Sequence, residues 1–280
     1  MDFLDDLGRL GLEHLEGVEL YGDPNEKKEE KASPKVATET KMDEADMLFK
    51  KSCTCVVCDR QFKTLTVRSG KARLVESDRD LRPKYEDIEP LKYEVISCPY
   101  CGFSAVSRFF VPMASSQKKN VVEKICSKVK PLDANKDTYT YEEAMDRYKL
   151  ALVNSVVKIS KASEKAYTCL KTGWLVRSYI ETLENEEKPD REKLEKLLDE
   201  EERNLKNAYD GFLHAIAEES FPICGMDEQT VNYLLAVLAL RFGDFAVSRK
   251  LTASILTSKN ASARLKDKAL EIKEELLHAT

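Results

Sequence analysis

Two hydrophobic rhythms divide this chain. From about residue 115 onward the apolar positions recur every three to four residues, and between Leu48 and Pro112 they alternate or cluster in short β-branched and aromatic runs. The helical rhythm opens with V-V-E-K-I-C-S-K-V (121–129), a short amphipathic piece that Pro131 ends. Thr140 and Glu143 stand at capping-box spacing, where each side chain satisfies a free N–H at a helix start. That spacing predicts a helix through Ala144, Tyr148, Ala151 and Leu152. Further helices are predicted over roughly 161–184, 190–219, 228–241, 244–257 and 262–278, with Pro189-Asp190 and Phe221-Pro222 as punctuation. Trp174, alone of its type, falls at a core position of this pattern.

The β-like runs are F-K-T-L-T-V-R (62–68), A-R-L-V (72–75), Y-E-V-I (93–96) and A-V-S-R-F-F-V (105–111), with a turn at Ser69-Gly70-Lys71. They predict a small antiparallel β module. The Pro-broken stretch 77–93, with interleaved charges and two tyrosines, reads as an ordered loop. Ahead of the module, residues 3–20 space Phe3, Leu4, Leu7, Leu10, Leu15 and Val18 in a rough helical rhythm. Gly8, Gly11 and Gly17 weaken that helix by about 1 kcal/mol each relative to Ala, so it is expected to fold by docking on an apolar surface. Residues 22–45 are charged and lack a core pattern. The expected organisation is a short amphipathic helix over 1–21, a disordered acidic linker over 22–45, a β module over 46–114 and a helical domain over 115–280. The class is α+β.

Charge follows the same division. Residues 1–45 hold 6 Lys+Arg and 13 Asp+Glu, residues 46–131 hold 17 and 10, and residues 132–280 hold 22 and 27. A basic module thus sits between two acidic stretches, which reads as ordinary surface variation or, alternatively, as opposite fields that draw the acidic arm back onto the module. No run of about 18 apolar residues occurs, which argues against a membrane span, and the acidic start lacks the pattern of a secretory signal. Eight cysteines in such a chain read as reduced thiols and metal ligands of a cytoplasmic protein.

The sharpest chemistry is in those cysteines. Cys55 and Cys58 form one C-x-x-C pair and Cys98 and Cys101 a second, with 39 residues between the pairs. A C-x-x-C turn sets two sulfurs about one metal diameter apart and aims backbone N–H groups at them. Two such turns complete a tetrahedral four-sulfur shell, which suits structural zinc. A redox site needs one pair opening a helix, whereas each pair here has strand-like flanks; an iron–sulfur cluster uses the same ligands. Four sulfurs close the shell, so catalysis at the metal is not expected. Cys53 fits a knuckle less well and is expected as a spare exposed thiol. Cys126, Cys169 and Cys224 are expected as small buried hydrophobes. His14, His214 and His278 lie far from the pairs, and no phosphate loop, H-E-x-x-H or G-x-S-x-G occurs. The cluster Asp78, Arg79, Asp80, Arg82 and Tyr85 is expected to pin its loop through charge-assisted bonds.

The run from C-V-V-C-D-R-Q-F through V-R-S-G-K, D-R-D-L-R-P-K-Y and C-P-Y-C-G-F resembles the bacterial family called domain of unknown function 2225. The resemblance continues more weakly through Y-L-L-A-V-L-A-L-R-F-G-D-F (233–245). It implies a zinc-ribbon-like module held by Cys55, Cys58, Cys98 and Cys101, followed by tetratricopeptide-like helices, and assigns no activity. The segment 231–256 itself looks like one tetratricopeptide hairpin: small Ala236 for close approach, Gly243-Asp244 for the turn, Phe245 as a plug and Ser248 at the crossing. The leading expectation is a non-enzymatic adaptor that binds a protein or peptide on its helices. The rivals are nucleic-acid binding, through Arg68, Lys71, Arg73, Arg79, Arg82, Tyr85 and Tyr93, and an enzyme using the 77–93 loop.

Overall fold

A computed structural model of the protein describes residues 43–128, 133 and 135–278. The helix expected over 1–21, and the expected linker as far as residue 42, lie outside the described residues. Glu44–Met47 form a 3-10 turn capped by Asp43, whose carboxylate accepts the Ala45 N–H at 3.3 Å.

The β-branched runs pair with their sequence neighbours. Three two-stranded antiparallel ladders result: β1 (Leu48–Thr54) with β2 (Gln61–Val67), β3 (Leu74–Ser77) with β4 (Pro83–Tyr85), and β5 (Val95–Ser97) with β6 (Ser104–Val106). They stay separate ladders and do not merge into one sheet. The strand expected over 105–111 stops at Val106, and Ser107–Phe109 turn into a 3-10 helix. Distant rings explain the break. Phe109 meets Tyr167 edge-on at 5.8 Å, while Phe110 turns to Phe103 at 5.2 Å and Phe62 at 6.2 Å. The 77–93 stretch is ordered and contains β4 and a 3-10 turn at Pro90–Tyr93.

The helices are α1 (Ser115–Val121), α2 (Tyr141–Val157), α3 (Ala162–Glu184), α4 (Arg191–Glu218), α5 (Glu228–Arg241), α6 (Phe245–Thr257) and α7 (Ala263–His278). The amphipathic piece expected over 121–129 begins earlier, as α1, and continues as a π-helical turn over Val122–Cys126. The Thr140–Glu143 capping box forms in both directions, at 3.2 and 3.0 Å. Asp190, Asp227 and Asp244 cap α4, α5 and α6 in one direction only, each carboxylate accepting the backbone N–H three residues on. Helices α3 and α4 approach closely at Gly173, where an added Cβ would lie 2.8 Å from Leu205 Cδ2. Gly243 takes φ 73° at the α5–α6 turn, and Ser248 Oγ donates to the Ala236 carbonyl at 2.9 Å.

The largest apolar cluster joins Leu91, Val95 and Val106 of the β-rich part to residues of α2 through α7, Trp174 among them. A second cluster lies around the cysteines with Phe62, Phe103, Val121 and Ile125. A third gathers Met47, Leu48, Leu65, Ile88, Tyr93 and Tyr139. The β-rich part and the helices therefore share a core.

Candidate metal centre

β1 ends at Thr54 and β5 at Ser97, and a Cys-x-x-Cys turn follows each at once. The two turns fold alike. The Cys55 N–H donates to the Arg60 carbonyl at 2.9 Å and the Asp59 N–H to the Cys55 carbonyl at 3.0 Å. In the second turn the Cys98 N–H donates to Phe103 at 2.9 Å and the Gly102 N–H to Cys98 at 3.0 Å. The residue after each second cysteine is left-handed, Asp59 at φ 59° and Gly102 at φ 73°. Glycine and short polar residues take that conformation at least cost. This backbone path aims N–H groups at sulfur: Val57 donates to Cys55 Sγ at 3.4 Å, and Tyr100 and Cys101 donate to Cys98.

The four expected ligands converge. Cys55 and Cys101 sulfurs stand 3.6 Å apart, Cys58 and Cys98 sulfurs 3.6 Å apart, and all four lie within 4.8 Å of one another. A disulfide would bring two of them to about 2.05 Å. At a metal–sulfur distance of about 2.3 Å, a regular tetrahedron has sulfur–sulfur edges of about 3.8 Å. The cage therefore fits one tetrahedral ion. A polynuclear iron–sulfur cluster hangs its thiolates on different irons and needs a wider spread. Cys55, Cys98 and Cys101 are buried and Cys58 is partly exposed.

Charge in the cage points the same way. Hydrogen bonds from the Cys101 and Cys55 side chains, reinforced by backbone N–H groups, pull the Cys98 thiol down from its ordinary value. The Cys55 and Cys98 side chains, with burial, push Cys101 well up. A divalent cation that displaces the protons satisfies all four.

The surroundings hold the two turns together. The Arg60 guanidinium sits over the Tyr100 ring at 5.2 Å, linking one turn to the other, and Lys118 reaches Asp59 at 3.2 Å. Asn154 on α2 donates from Nδ2 to the Gly102 carbonyl at 3.2 Å, which ties the second turn to the helices. Lys118 and Asn154 come from remote segments and are not visible from spacing, while Arg60 and Tyr100 lie in the knuckles themselves and only their pairing across the two turns is hidden.

The other cysteines divide. Cys53 lies opposite Phe62 in the β1–β2 ladder, half-buried against the cage cluster and not fully exposed. Cys126 is half-buried beside Cys101, where the sequence suggested only a buried hydrophobe. Burial raises both thiols above the usual range. Cys169 is buried in the main core and pushed up to about 11 by that burial. Cys224 is half-buried and donates to the Ser163 carbonyl at 3.3 Å. His214 and His278 are exposed and are not part of the four-cysteine group, and His14 is outside the described residues.

The polar loop cluster also closes on itself. Arg82 is 1% exposed and donates to Asp78 at 2.6 Å, to Ser178 at 2.9 Å and to Glu181. Arg177 on α3 binds Asp80 through two nitrogens at 3.0 and 2.8 Å, Asp78 at 3.0 Å and Glu201 at 2.9 Å. The Trp174 indole donates to Asp80 at 3.1 Å. Burial pushes Asp78 up, but bonds from Arg82, Lys84 and Arg177 outweigh it and hold the carboxyl below its ordinary value. Open cavities of about 420 and 380 Å³ flank this cluster. Its charged groups neutralise one another, and the arrangement fastens the loop to α3. The sequence marked Asp78, Asp80 and Arg82 but not Arg177, Glu181 or Glu201.

Among the described residues no helix is long and apolar enough to cross a membrane. The model of a family described as uncharacterized protein conserved in bacteria (DUF2225) matches residues 48–276. No curated protein and no solved structure matches the chain.

Proposed function

The chain belongs to the DUF2225 family, and on that premise we propose that it is a non-enzymatic adaptor: a zinc-ordered platform whose helices present a groove to a protein partner. The closed four-sulfur cage carries this reading. Thiolate ligands in tetrahedral array favour zinc over harder cations, and a full shell leaves no position for a substrate. Zinc there organises β1, β2, β5 and β6, which the shared core couples to the helices. The α5–α6 hairpin supports a tetratricopeptide-like reading, with Ala236, Gly243 and Ser248 in their expected places. A thiolate cage also suits the reducing cytoplasm.

The rival readings have less support. Of the cations offered for nucleic acid, Arg82 is buried in ion pairs, Arg73 pairs with Glu86 and Arg79 with Glu275. Tyr93 is buried and stacked on Tyr139 at 5.4 Å, so it offers no face to a base. An enzyme at the 77–93 loop would need groups that the Arg82–Arg177 network already engages.

Metal analysis of the full chain tests the platform, with one zinc per chain expected and loss of it in Cys98→Ser. Cross-linking mass spectrometry of the full chain in its host tests the adaptor. Cross-links to a defined protein within residues 141–278 are expected. Retention on DNA or RNA at low salt, without protein cross-links, would overturn it.

A further inference from the structure

We propose that the trough between α6 and α7 receives an amphipathic helix with acidic flanks from a partner protein. This rests on the adaptor reading and specifies its partner. The trough has a volume of about 690 Å³ and an apolar lining from Ala253, Leu256, Leu276 and Leu277. Its charged lining is Arg249 on α6 and Lys273 on α7, with no carboxylate. Neither cation has a carboxylate within ion-pair distance among the described residues, in contrast to Arg177 and Arg241 on α3 and α5. Arg249 donates to the Leu276 carbonyl at 3.4 Å. Both helices therefore bring positive charge without a carboxylate partner among the described residues to an apolar cavity, in a chain of net charge −5.

Helix α7 extends this surface. It buries Ala269, Ile272 and Leu276 on one face and leaves Leu270 45% and Leu277 68% exposed, one heptad apart. The trough's α6 wall spans residues 249–257, which is about 12 Å of helix or somewhat over two turns. An incoming helix with apolar residues at i, i+3, i+4 and i+7 matches that length, and carboxylates on its flanks meet Arg249 and Lys273. A second copy of this chain is a poor occupant, because a twofold contact would set the same cations against each other. A lipid surface is also a poor occupant: its recognition takes about four to eight clustered cations on a protruding face.

The test uses the full zinc-loaded chain and labelled synthetic helices of about 18 residues with leucines at those positions. One peptide carries Glu on its flanks and the control carries Lys. Anisotropy is read at low and raised salt. The Glu peptide is expected to bind at least about tenfold tighter than the Lys peptide, and to weaken with salt. Arg249→Glu with Lys273→Glu should reverse the preference, and the exposed Leu277→Glu should abolish binding while the thermal melt stays unchanged. Equal affinity for the two peptides, or binding that ignores the double charge reversal, overturns the proposal. So does a dimer in sedimentation that Leu277→Glu dissolves. Host cross-links that fall only outside the trough, with the Glu peptide unbound, overturn it and leave the adaptor reading standing.

Discussion

Arg177 compensates three carboxylates that lie largely out of water: Asp78, Asp80 and Glu201. Removing one partner of such a buried set leaves charge uncompensated, so Arg177→Ala should cost about 3–5 kcal/mol in urea unfolding. Lys196→Ala, which breaks an exposed pair with Glu192, should cost under about 1 kcal/mol. The same network has a pH signature. Asp78 is held below the ordinary carboxylate value of about 3.9. Its ionised form therefore adds stability above that value, and the contribution is lost as pH falls through the lower folded value. The stability gap between the wild type and Asp78→Asn should be full near neutrality and shrink below about pH 4, as read from unfolding midpoints at stepped pH. The sequence made the loop half of this network legible, since closely spaced Asp and Arg in one Pro-broken stretch can form charge-assisted bonds that fasten it. Arg177 was hidden because it lies 97 residues from Asp80 within an apparently ordinary helix.

The α5–α6 hairpin shows how far local pattern reaches at the scale of an element. Asp227 and Asp244 cap the helices, Gly243 supplies the left-handed turn, and the Ser248 hydroxyl on the Ala236 carbonyl measures how close the helices come. Ser248→Leu should destabilise by about 1–3 kcal/mol through overpacking, whereas Ser254→Leu, on the exposed face, should stay within about 0.5 kcal/mol; thermal melts compare them. The helices were readable because caps and period agree within a few residues. The β ladders were less so. β4, β5 and β6 have three residues each, too short to show a period, and Phe109 and Phe110 leave the strand path for rings elsewhere.

Across the whole molecule, the four-cysteine cage and the helical core occupy different clusters that meet along α2. Stripping the ion with a strong chelator should therefore act unevenly. Hydrogen exchange should lose protection over 48–67 and 95–106, while α3 to α5 keep theirs and most helical ellipticity survives. Cys53→Ser should retain the metal, because Cys53 stands outside the four-sulfur cage. The ligands themselves were legible from two spacings. Their supports, Asn154, Arg60 with Tyr100 and the neighbouring Cys126, were not, since only the folded chain brings them there.

The apolar contacts of Leu91, Val95 and Val106 with the helices carry a practical warning, together with the Tyr148 hydroxyl that donates to the Leu91 carbonyl at 3.1 Å. Cutting the gene near residue 114 would strip greasy surface bare on both halves, and each fragment would tend to clump or cling to bystanders. Bait prepared from the isolated C-terminal piece would then collect false interactors, so ligand hunting should keep the polypeptide intact and vary single side chains instead.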